Sequence, residues 1–230
     1  MIVLTRPLPA AQRFARMLRR AGATDPILFS PIIRIELTGQ GALPAGTLVF
    51  TSENGVHAAA AMGALVGRDV IAVGPRTAAS ARAQGARVTV GSGDVQTLAE
   101  MLIAQAGGPF VHLHGAHVTG DLVGNLRAAG LQAAARVIYN QTPHALTEAA
   151  RNALKSDRPS VLPLFSAKSA EWVAQDLAEQ PSKTLMVALS AQVRESWPWS
   201  GAALVAERTE IGGMCAAVMQ AVSGRTGEGE

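Results

Sequence analysis

The sequence predicts an α/β protein with parallel sheets, and two features of the chain carry that prediction. First, a short aliphatic run, a small polar turn and an alanine-rich helical segment recur six times. Second, the runs at 48–50 and 70–73 are apolar at every position, as expected of strands whose two faces are both covered by helices. The fold class is therefore α/β, with each parallel sheet flanked by helices.

The six repeats follow one another along the chain. Their sequences are IVLTRPLPAAQRFARML, LVFTSENGVHAAAAM, VIAVGPRTAASARAQG, FVHLHGAHVTGDLVGNLRAAG, VLPLFSAKSAEWVAQDLA and LMVALSAQVRESW. In the first of them, Phe14, Met17, Leu18 and Ala21 have the i, i+3, i+4, i+7 spacing of one buried helix face. That spacing predicts a helix that packs on a sheet.

Two strand-like segments differ from the others because they mix apolar and polar residues. They are PIIRIEL at 31–37 and ARVIYNQTP at 135–143, and each has a proline at one end. Half-solvated strands of this kind suit connectors between lobes better than the centre of a parallel sheet. The predicted organisation is a discontinuous first lobe, a second lobe inserted in it, and two linker strands. The corresponding ranges are 1–34 plus 142–230, 38–134, and 35–37 with 135–141.

The composition limits the class of protein. The 230 residues exceed the usual size of one domain, so one large domain or two smaller lobes are both possible. No apolar run approaches the roughly 20 residues of a membrane span, and the opening MIVLTRP has no secretory pattern, which predicts a cytoplasmic protein. A net charge of +3 and an aromatic content of 4% argue against nucleic acid as a partner and leave a small polyanion open. The closing GRTGEGE has no apolar residue to bury and is expected to fray.

Cys215 is the single cysteine, so an internal disulfide is excluded. In GGMCAAVMQAV it falls on an apolar helical stripe, which predicts packing rather than reactivity. His112, His114 and His117 offer a possible metal site, since the first two project from one face of a strand. No carboxylate or cysteine accompanies them closely, so no metal is expected.

Small polar residues follow most of the predicted strands, where an open parallel sheet binds its ligands. Ser52 and Thr77 are placed to cap helices, and Gly74 with Pro75 makes a turn. Further along the chain, the corresponding turns supply Gly115, Ser166, Ser169 and Ser190. Each residue alone could do no more than cap a helix. Together, a ring of amides and hydroxyls would bind carboxylates or phosphates without a metal.

Common catalytic and nucleotide-binding motifs are absent from the sequence. GSGDVQ lacks the third glycine of a dinucleotide fingerprint, and neither a P-loop nor a GxSxG nucleophile elbow occurs. Readings as an NAD enzyme, an ATPase or a serine hydrolase are therefore disfavoured.

The order of TRP, FTSENGV, AVGPRTA, GDVQTLAEML, a strand ending in HG, and VIYNQT resembles the uroporphyrinogen-III synthase family. The resemblance covers most of the chain and is strongest from Met1 to Thr142. FSAKSAEWV also matches a family turn. ALSAQVRE departs from the usual glycine and Thr-Ala form, and His114 stands where many relatives have arginine.

The resemblance implies two α/β lobes joined by a two-stranded linker, and a substrate, hydroxymethylbilane, that carries eight carboxylates. The reaction is loss of the terminal hydroxyl, attack through the substituted carbon of the last ring to give a spiro intermediate, then reclosure with that ring inverted. Because the same molecule closes unaided to the uninverted isomer, catalysis must be largely positional. No cofactor is implied, and the enzyme is expected to act as a monomer.

Tyr139, the single tyrosine, matches the tyrosine of the family's linker motif. A phenol ordinarily ionises at about pH 10, so it is protonated at cytoplasmic pH and can donate its proton to the departing hydroxyl. The alternative is a ring that only packs at the lobe junction. The residues expected to bind substrate are Arg6, Thr51, Ser52, Asn54, Gly74, Thr77, Gly115, Ser166, Ser169 and Ser190. Arg6 could instead form a surface salt bridge.

Two other functions remain open from the sequence. A two-lobed sensor that binds a small anion without chemistry would share the fold and the loops. A nucleotide-sugar transferase of similar architecture would need a longer chain and a nucleotide-specific acidic pair, which the sequence lacks.

Overall fold

A computed structural model describes residues 1–38, 42, 44–63, 65–91, 93–118 and 120–224. All but the first residue of the GRTGEGE tail therefore lies outside the described residues. The chain divides into two compact units, the first made of 1–34 and 143–230 and the second of 35–142. Each unit contains one sheet of mostly parallel strands with helices on both faces, so the α/β prediction is confirmed.

The first unit contains the following elements. Its strands are β1 (Ile2–Leu4), β2 (Ile27–Phe29), β9 (Ser160–Leu164), β10 (Thr184–Ala188) and β11 (Ala203–Val205). Its helices are α1 (Leu8–Arg20), α6 (Glu148–Lys155), α7 (Ala167–Leu177), α8 (Ala191–Glu195) and α9 (Ile211–Ser223).

The second unit has a similar alternation of strands and helices. Its strands are β3 (Ile33–Leu37), whose first two residues belong to the first unit, then β4 (Thr47–Phe50), β5 (Asp69–Ala72), β6 (Arg87–Val90), β7 (Phe110–Gly115) and β8 (Ala133–Pro143). Its helices are α2 (Glu53–Ala61), α3 (Pro75–Ala83), α4 (Val95–Gln105) and α5 (Leu122–Ala128).

The sheet of the first unit has the order β11-β10-β9-β1-β2, and its neighbouring strands are parallel. Alternate residues of β1 enter opposite cores: Ile2 and Leu4 pack with α1 and α9, whereas Val3 packs with α6, α7 and α8. The buried stripe of α1 consists of Ala11, Phe14, Ala15 and Leu18. The predicted stripe was therefore wrong at Ala21, which is exposed at the C-cap because the helix ends at Arg20.

The sheet of the second unit has the order β3-β8-β7-β4-β5-β6, and it is parallel from β8 to β6. Leu48 and Phe50 pack with α2 and α3 on one face, and Val49 packs with α4 and α5 on the other. Residues 35–37 and 135–141, which the sequence predicts to be linker strands, lie in β3 and β8, two neighbouring strands of this sheet.

Cys215 lies in α9 within the core that α9 shares with α1, and burial raises the pKa of its thiol. This agrees with the packing role predicted from the sequence. Across the described ranges, every helix is too short or too polar to cross a bilayer.

Candidate functional site

Each sheet has a point where the chain reverses the direction in which it adds strands. In the second unit the chain runs from β4 outward through β5 and β6, then returns to place β7 and β8 on the other side of β4. In the first unit the same reversal separates β1 and β2 from β9, β10 and β11. Ligands of open α/β sheets bind beyond the carboxyl ends of the strands at such points. A binding site is therefore expected at the carboxyl ends of β4 and β7 in the second unit and of β1 and β9 in the first.

Tyr139 lies beside the junction of the second unit because β8 contains a bulge. His114 pairs with Val137, but the next residue of β7, Gly115, pairs with Tyr139, so Ile138 is the extra residue. Ile138 and Tyr139 are consecutive and yet both buried in the core that faces α2 and α3. A bulge re-aims a side chain in this way, since it breaks the two-residue alternation of the strand.

Gly115 fixes the position of the phenol ring. A Cβ added at Gly115 would lie 2.6 Å from Cε2 and 2.7 Å from Cζ of Tyr139, closer than any real contact. The next amide, that of Ala116, donates to the carbonyl of Tyr139 at 3.0 Å. The ring therefore rests directly on the glycine backbone, and only glycine leaves room for it there.

Ser52 connects Tyr139 to the start of α2. Its Oγ accepts a hydrogen bond from the Gly55 amide at 3.1 Å, which confirms the predicted helix cap. The same oxygen lies 3.1 Å from the Tyr139 hydroxyl. Gly55 is buried, and a Cβ there would lie 3.1 Å from the Leu113 carbonyl oxygen and 3.2 Å from the Phe50 ring.

Thr51 and the histidines form a second polar group on the face of the sheet covered by α4 and α5. The Thr51 hydroxyl lies 3.1 Å from Nε2 of His112. Burial, with a smaller effect from the nearby His114, lowers the pKa of His112 to about 4, so the ring is neutral at physiological pH. His114 Nδ1 lies 2.7 Å from the Gly115 carbonyl, and since a carbonyl only accepts, this nitrogen carries a hydrogen.

Thr51 also lines an open cavity of about 630 Å³ in the second unit. Val73, α4 from Val95 to Ile103 and the start of α5 form its other walls. Asp94 and Asp121, which cap these two helices, border it with their carboxylates. Hydrogen bonds from Thr97, the backbone amide first and the side chain second, lower the pKa of Asp94. This part of the edge is therefore acidic and does not favour the binding of carboxylates.

The remaining predicted residues of the second unit lie at the same carboxyl edge. Asn54 is in the first turn of α2, and Gly74 is the N-cap of α3. The prediction that Thr77 caps α3 is wrong: Pro75 starts the helix, so Thr77 lies inside its first turn and is buried.

In the first unit, Arg6 follows β1 and Phe165 follows β9, on the two sides of the junction. The Arg6 guanidinium lies 4.1 Å from the centroid of the Phe165 ring, a cation–π contact. Ser166 caps α7 by accepting from the Ser169 amide, and its hydroxyl also donates to Ser169 Oγ at 2.8 Å. Ser190 caps α8 through the amide of Val193. The predicted residues Arg6, Ser166, Ser169 and Ser190 thus border the carboxyl ends of three adjacent strands.

The structure adds residues that sequence reasoning did not assign. His112 was considered only as a metal ligand, and Phe165, Asp94 and Asp121 were not singled out. The helix-start pattern of an Asp three residues before a polar or small residue could have identified the two aspartates. Among the described residues, no group of three or more histidine, cysteine, aspartate or glutamate side chains is arranged to hold a metal ion.

Comparisons with known proteins agree with this architecture. The family model described as uroporphyrinogen-III synthase HemD matches residues 12–216. The crystal structure of uroporphyrinogen-III synthetase from Helicobacter pylori is 14% identical, covers 95% of this chain and 98% of its own, and gives a TM-score of 0.65. A uroporphyrinogen III synthase structure from Thermus thermophilus is 16% identical over 98% of both chains, with a TM-score of 0.43. A search of curated proteins finds no match.

The family model spans most of the chain, and the Helicobacter structure shares the fold. The resemblance seen in the sequence motifs is thereby confirmed, and the sensor and transferase alternatives have no support. The chain belongs to the uroporphyrinogen-III synthase family and is a cyclising lyase of tetrapyrrole biosynthesis.

Proposed function

We propose that Tyr139 supplies the proton that removes the terminal hydroxyl of hydroxymethylbilane. The observation that carries this role is the position of the single phenol, held at the β4/β7 junction by Gly115 and by Ser52. An acid must be within hydrogen-bond reach of the group it protonates, and the carboxyl edge of the sheet is where a substrate would approach. Departure of water then leaves the azafulvene cation that begins cyclisation.

The substrate's carboxylates would be bound by helix N-termini and by Arg6. The first turns of α2, α3 and α7 present amide hydrogens beside Asn54, Gly74, Thr77 and Ser169. The cation–π contact with Phe165 positions the Arg6 guanidinium at the β1/β9 junction, where it would pair with a carboxylate of the substrate. Gly115, Ser166 and Ser190 complete the proposed carboxylate contacts through hydroxyl or backbone groups. Thr51, which lines the acidic cavity, is proposed to contact an uncharged part of the substrate.

Beyond this first step, the enzyme's contribution is positional. The azafulvene reacts without help to give the uninverted isomer, so the site has to hold the last ring for attack through its substituted carbon. We propose that β3 and β8 act as the linker strands that hold the two units, that the enzyme works as a cytoplasmic monomer without nucleic acid, and that it needs no cofactor. No cofactor is needed because the substrate forms its own electrophile.

The test is the Tyr139→Phe variant, assayed with freshly generated hydroxymethylbilane and with the products separated as oxidised porphyrins. Phenylalanine keeps the ring on Gly115 and removes only the hydroxyl that donates the proton, so formation of the inverted isomer should fall by roughly 10² to 10⁴. The melting temperature should fall by only about 2 to 4 °C, since one neutral hydrogen bond of about 1 kcal/mol is lost. Parent-like rate and selectivity would show that the phenol only packs.

A different outcome would assign Tyr139 another function within the same site. If substrate is consumed at the parent rate but the uninverted isomer accumulates, the tyrosine positions the last ring instead of protonating the leaving group. If the parent protein itself forms only the uninverted isomer, the chain lacks the synthase activity altogether.

A further inference from the structure

We propose that the proton reaches the leaving hydroxyl through Ser52. Ser52 is then the catalytic residue in contact with substrate, and Tyr139 replaces the proton that Ser52 gives up. This inference rests on the proposed role of Tyr139 and specifies how it is carried out. It gives Ser52 a function beyond that of a helix cap or a carboxylate ligand.

The Ser52 oxygen can make three hydrogen bonds, and two of its partners are visible in the structure. A serine hydroxyl has one hydrogen to donate and two lone pairs that accept. One lone pair is filled by the Gly55 amide at 3.1 Å, a group that can only donate. The Tyr139 hydroxyl, also at 3.1 Å, is the second partner, and it can either donate to Ser52 or accept from it.

Burial decides the direction of that second bond. Tyr139 is 5% exposed, whereas Ser52 is only partly buried. If Ser52 donated to Tyr139, the phenol hydrogen would have to find another acceptor inside the core, where an unmade hydrogen bond is costly. A phenol is also a stronger donor and a weaker acceptor than an alkyl alcohol, because its oxygen shares electron density with the ring. Tyr139 therefore donates to Ser52 in the resting enzyme.

Because both lone pairs of the Ser52 oxygen accept hydrogen bonds, the Ser52 hydrogen is available to a third partner. The oxygen is roughly tetrahedral, so its O–H bond points away from both Gly55 and Tyr139. The neighbouring Thr51 hydroxyl cannot take its place in the relay, since it is engaged with His112 on the opposite face of the sheet. Ser52 is thus the end of a polarised chain that starts at the acid and ends at the carboxyl edge of β4.

The proposed step is balanced in atoms and charge. Ser52 gives its proton to the terminal hydroxyl of hydroxymethylbilane, the carbon–oxygen bond breaks, and water leaves with the bonding electrons. Tyr139 passes its proton to Ser52 in the same step and becomes a phenolate, whose charge balances the azafulvene cation. When the ring closes, the α-carbon that forms the last bond loses its proton, and this proton returns to Tyr139 through Ser52.

The experiment compares Ser52→Gly, Ser52→Thr, Tyr139→Phe and the double variant Ser52→Gly/Tyr139→Phe. Glycine serves as an N-cap nearly as well as serine, so α2 keeps its start while the relay loses its hydroxyl. Single-turnover formation of the inverted isomer is measured, since the uninverted isomer also forms spontaneously. Urea unfolding checks that the four proteins are equally folded.

A relay predicts that Ser52→Gly loses the same factor as Tyr139→Phe, roughly 10² to 10⁴, and that the double variant loses no more. Ser52→Thr, which restores a hydroxyl at the same place, should recover most of that loss. A near-parental Ser52→Gly beside a slow Tyr139→Phe would overturn the relay and leave the role of Tyr139 intact. A near-parental Tyr139→Phe would overturn both.

An infrared measurement tests the resting direction of the bond without any turnover. Because Tyr139 is the single tyrosine, the ring C–O stretching band of isotopically labelled tyrosine has one source, and its frequency distinguishes a donating from an accepting phenol. We expect the band of a donor in the parent, the same band in Ser52→Thr, and a shifted band in Ser52→Gly. The band of an accepting phenol in the parent would overturn the relay.

Discussion

His112 should make the second unit lose stability as the pH falls, and the effect can be calculated from its surroundings. The ring is 6% exposed and neutral, with its pKa lowered from 6.5 to about 4 by burial and, secondarily, by His114. The unfolded chain binds a proton on this histidine below about pH 6.5, whereas the folded chain does so only below about pH 4. Between these values, folding must expel a proton.

Stability is complete above about pH 6.5, falls through the window between the two pKa values, and is fully reduced below about pH 4. Since one pH unit corresponds to about 1.4 kcal/mol, the loss amounts to about 2 kcal/mol at pH 5 and about 3 kcal/mol at the end of the window.

Urea unfolding followed by far-ultraviolet circular dichroism would measure this, with the parent compared to His112→Gln. Glutamine keeps a hydrogen-bonding group for Thr51 but does not titrate, so its free energy of unfolding should fall by about 2 kcal/mol less between pH 7 and pH 5. His57→Gln is the matched control, because His57 belongs to the same unit and is exposed. Equal losses in the parent and His112→Gln would refute the reasoning.

Three further predictions concern the ring contact, a buried hydroxyl and cofactors. Gly115→Ala should lower formation of the inverted isomer at least about tenfold, because its Cβ displaces the Tyr139 ring from Ser52. Gly107→Ala is the control: its Cβ would lie 3.6 Å from the Phe110 ring, an ordinary contact, so the rate should not change. Thr184→Val should cost about 1 to 3 kcal/mol in urea unfolding, since it leaves two buried partners unpaired, with no change in rate per folded molecule. Dialysis against a chelator should leave the rate unchanged; a loss restored by zinc would implicate His112 and its neighbouring histidines.

The fold class could be predicted from the sequence because it depends on local patterns. Apolar runs such as 48–50 form buried parallel strands, and Ser52, Ser166 and Ser190 cap helices as their positions after these runs predict. Thr77 shows the limit of the same reasoning. Pro75 fixes the first helical position, and that local effect outweighs the capping preference of a threonine two residues later.

The candidate site was less predictable because its contacts join distant parts of the chain. Ser52 and Tyr139 are 87 residues apart in the sequence, and their hydrogen bond depends on the bulge at Ile138. No glycine or other turn residue next to Ile138 predicts that bulge. A regular strand would place Tyr139 and Ile138 on opposite faces of the sheet. The pairing of His112 with Thr51 likewise requires knowing that β4 and β7 are neighbours.

The adjacency of β3 and β8 has a consequence for the thermodynamics of the first unit. Residues 35–142, 108 in number, leave and re-enter that unit through neighbouring strands of one sheet, so to the first unit they are a loop whose ends are already held together. Closing a loop costs entropy that grows only with the logarithm of its length. Replacing the insertion with a linker of about six residues would lower that cost by about 2 to 3 kcal/mol if the insertion were unstructured, and by less here because β3 and β8 pre-close it. The first unit should therefore be able to fold without the part of the chain that carries the tyrosine.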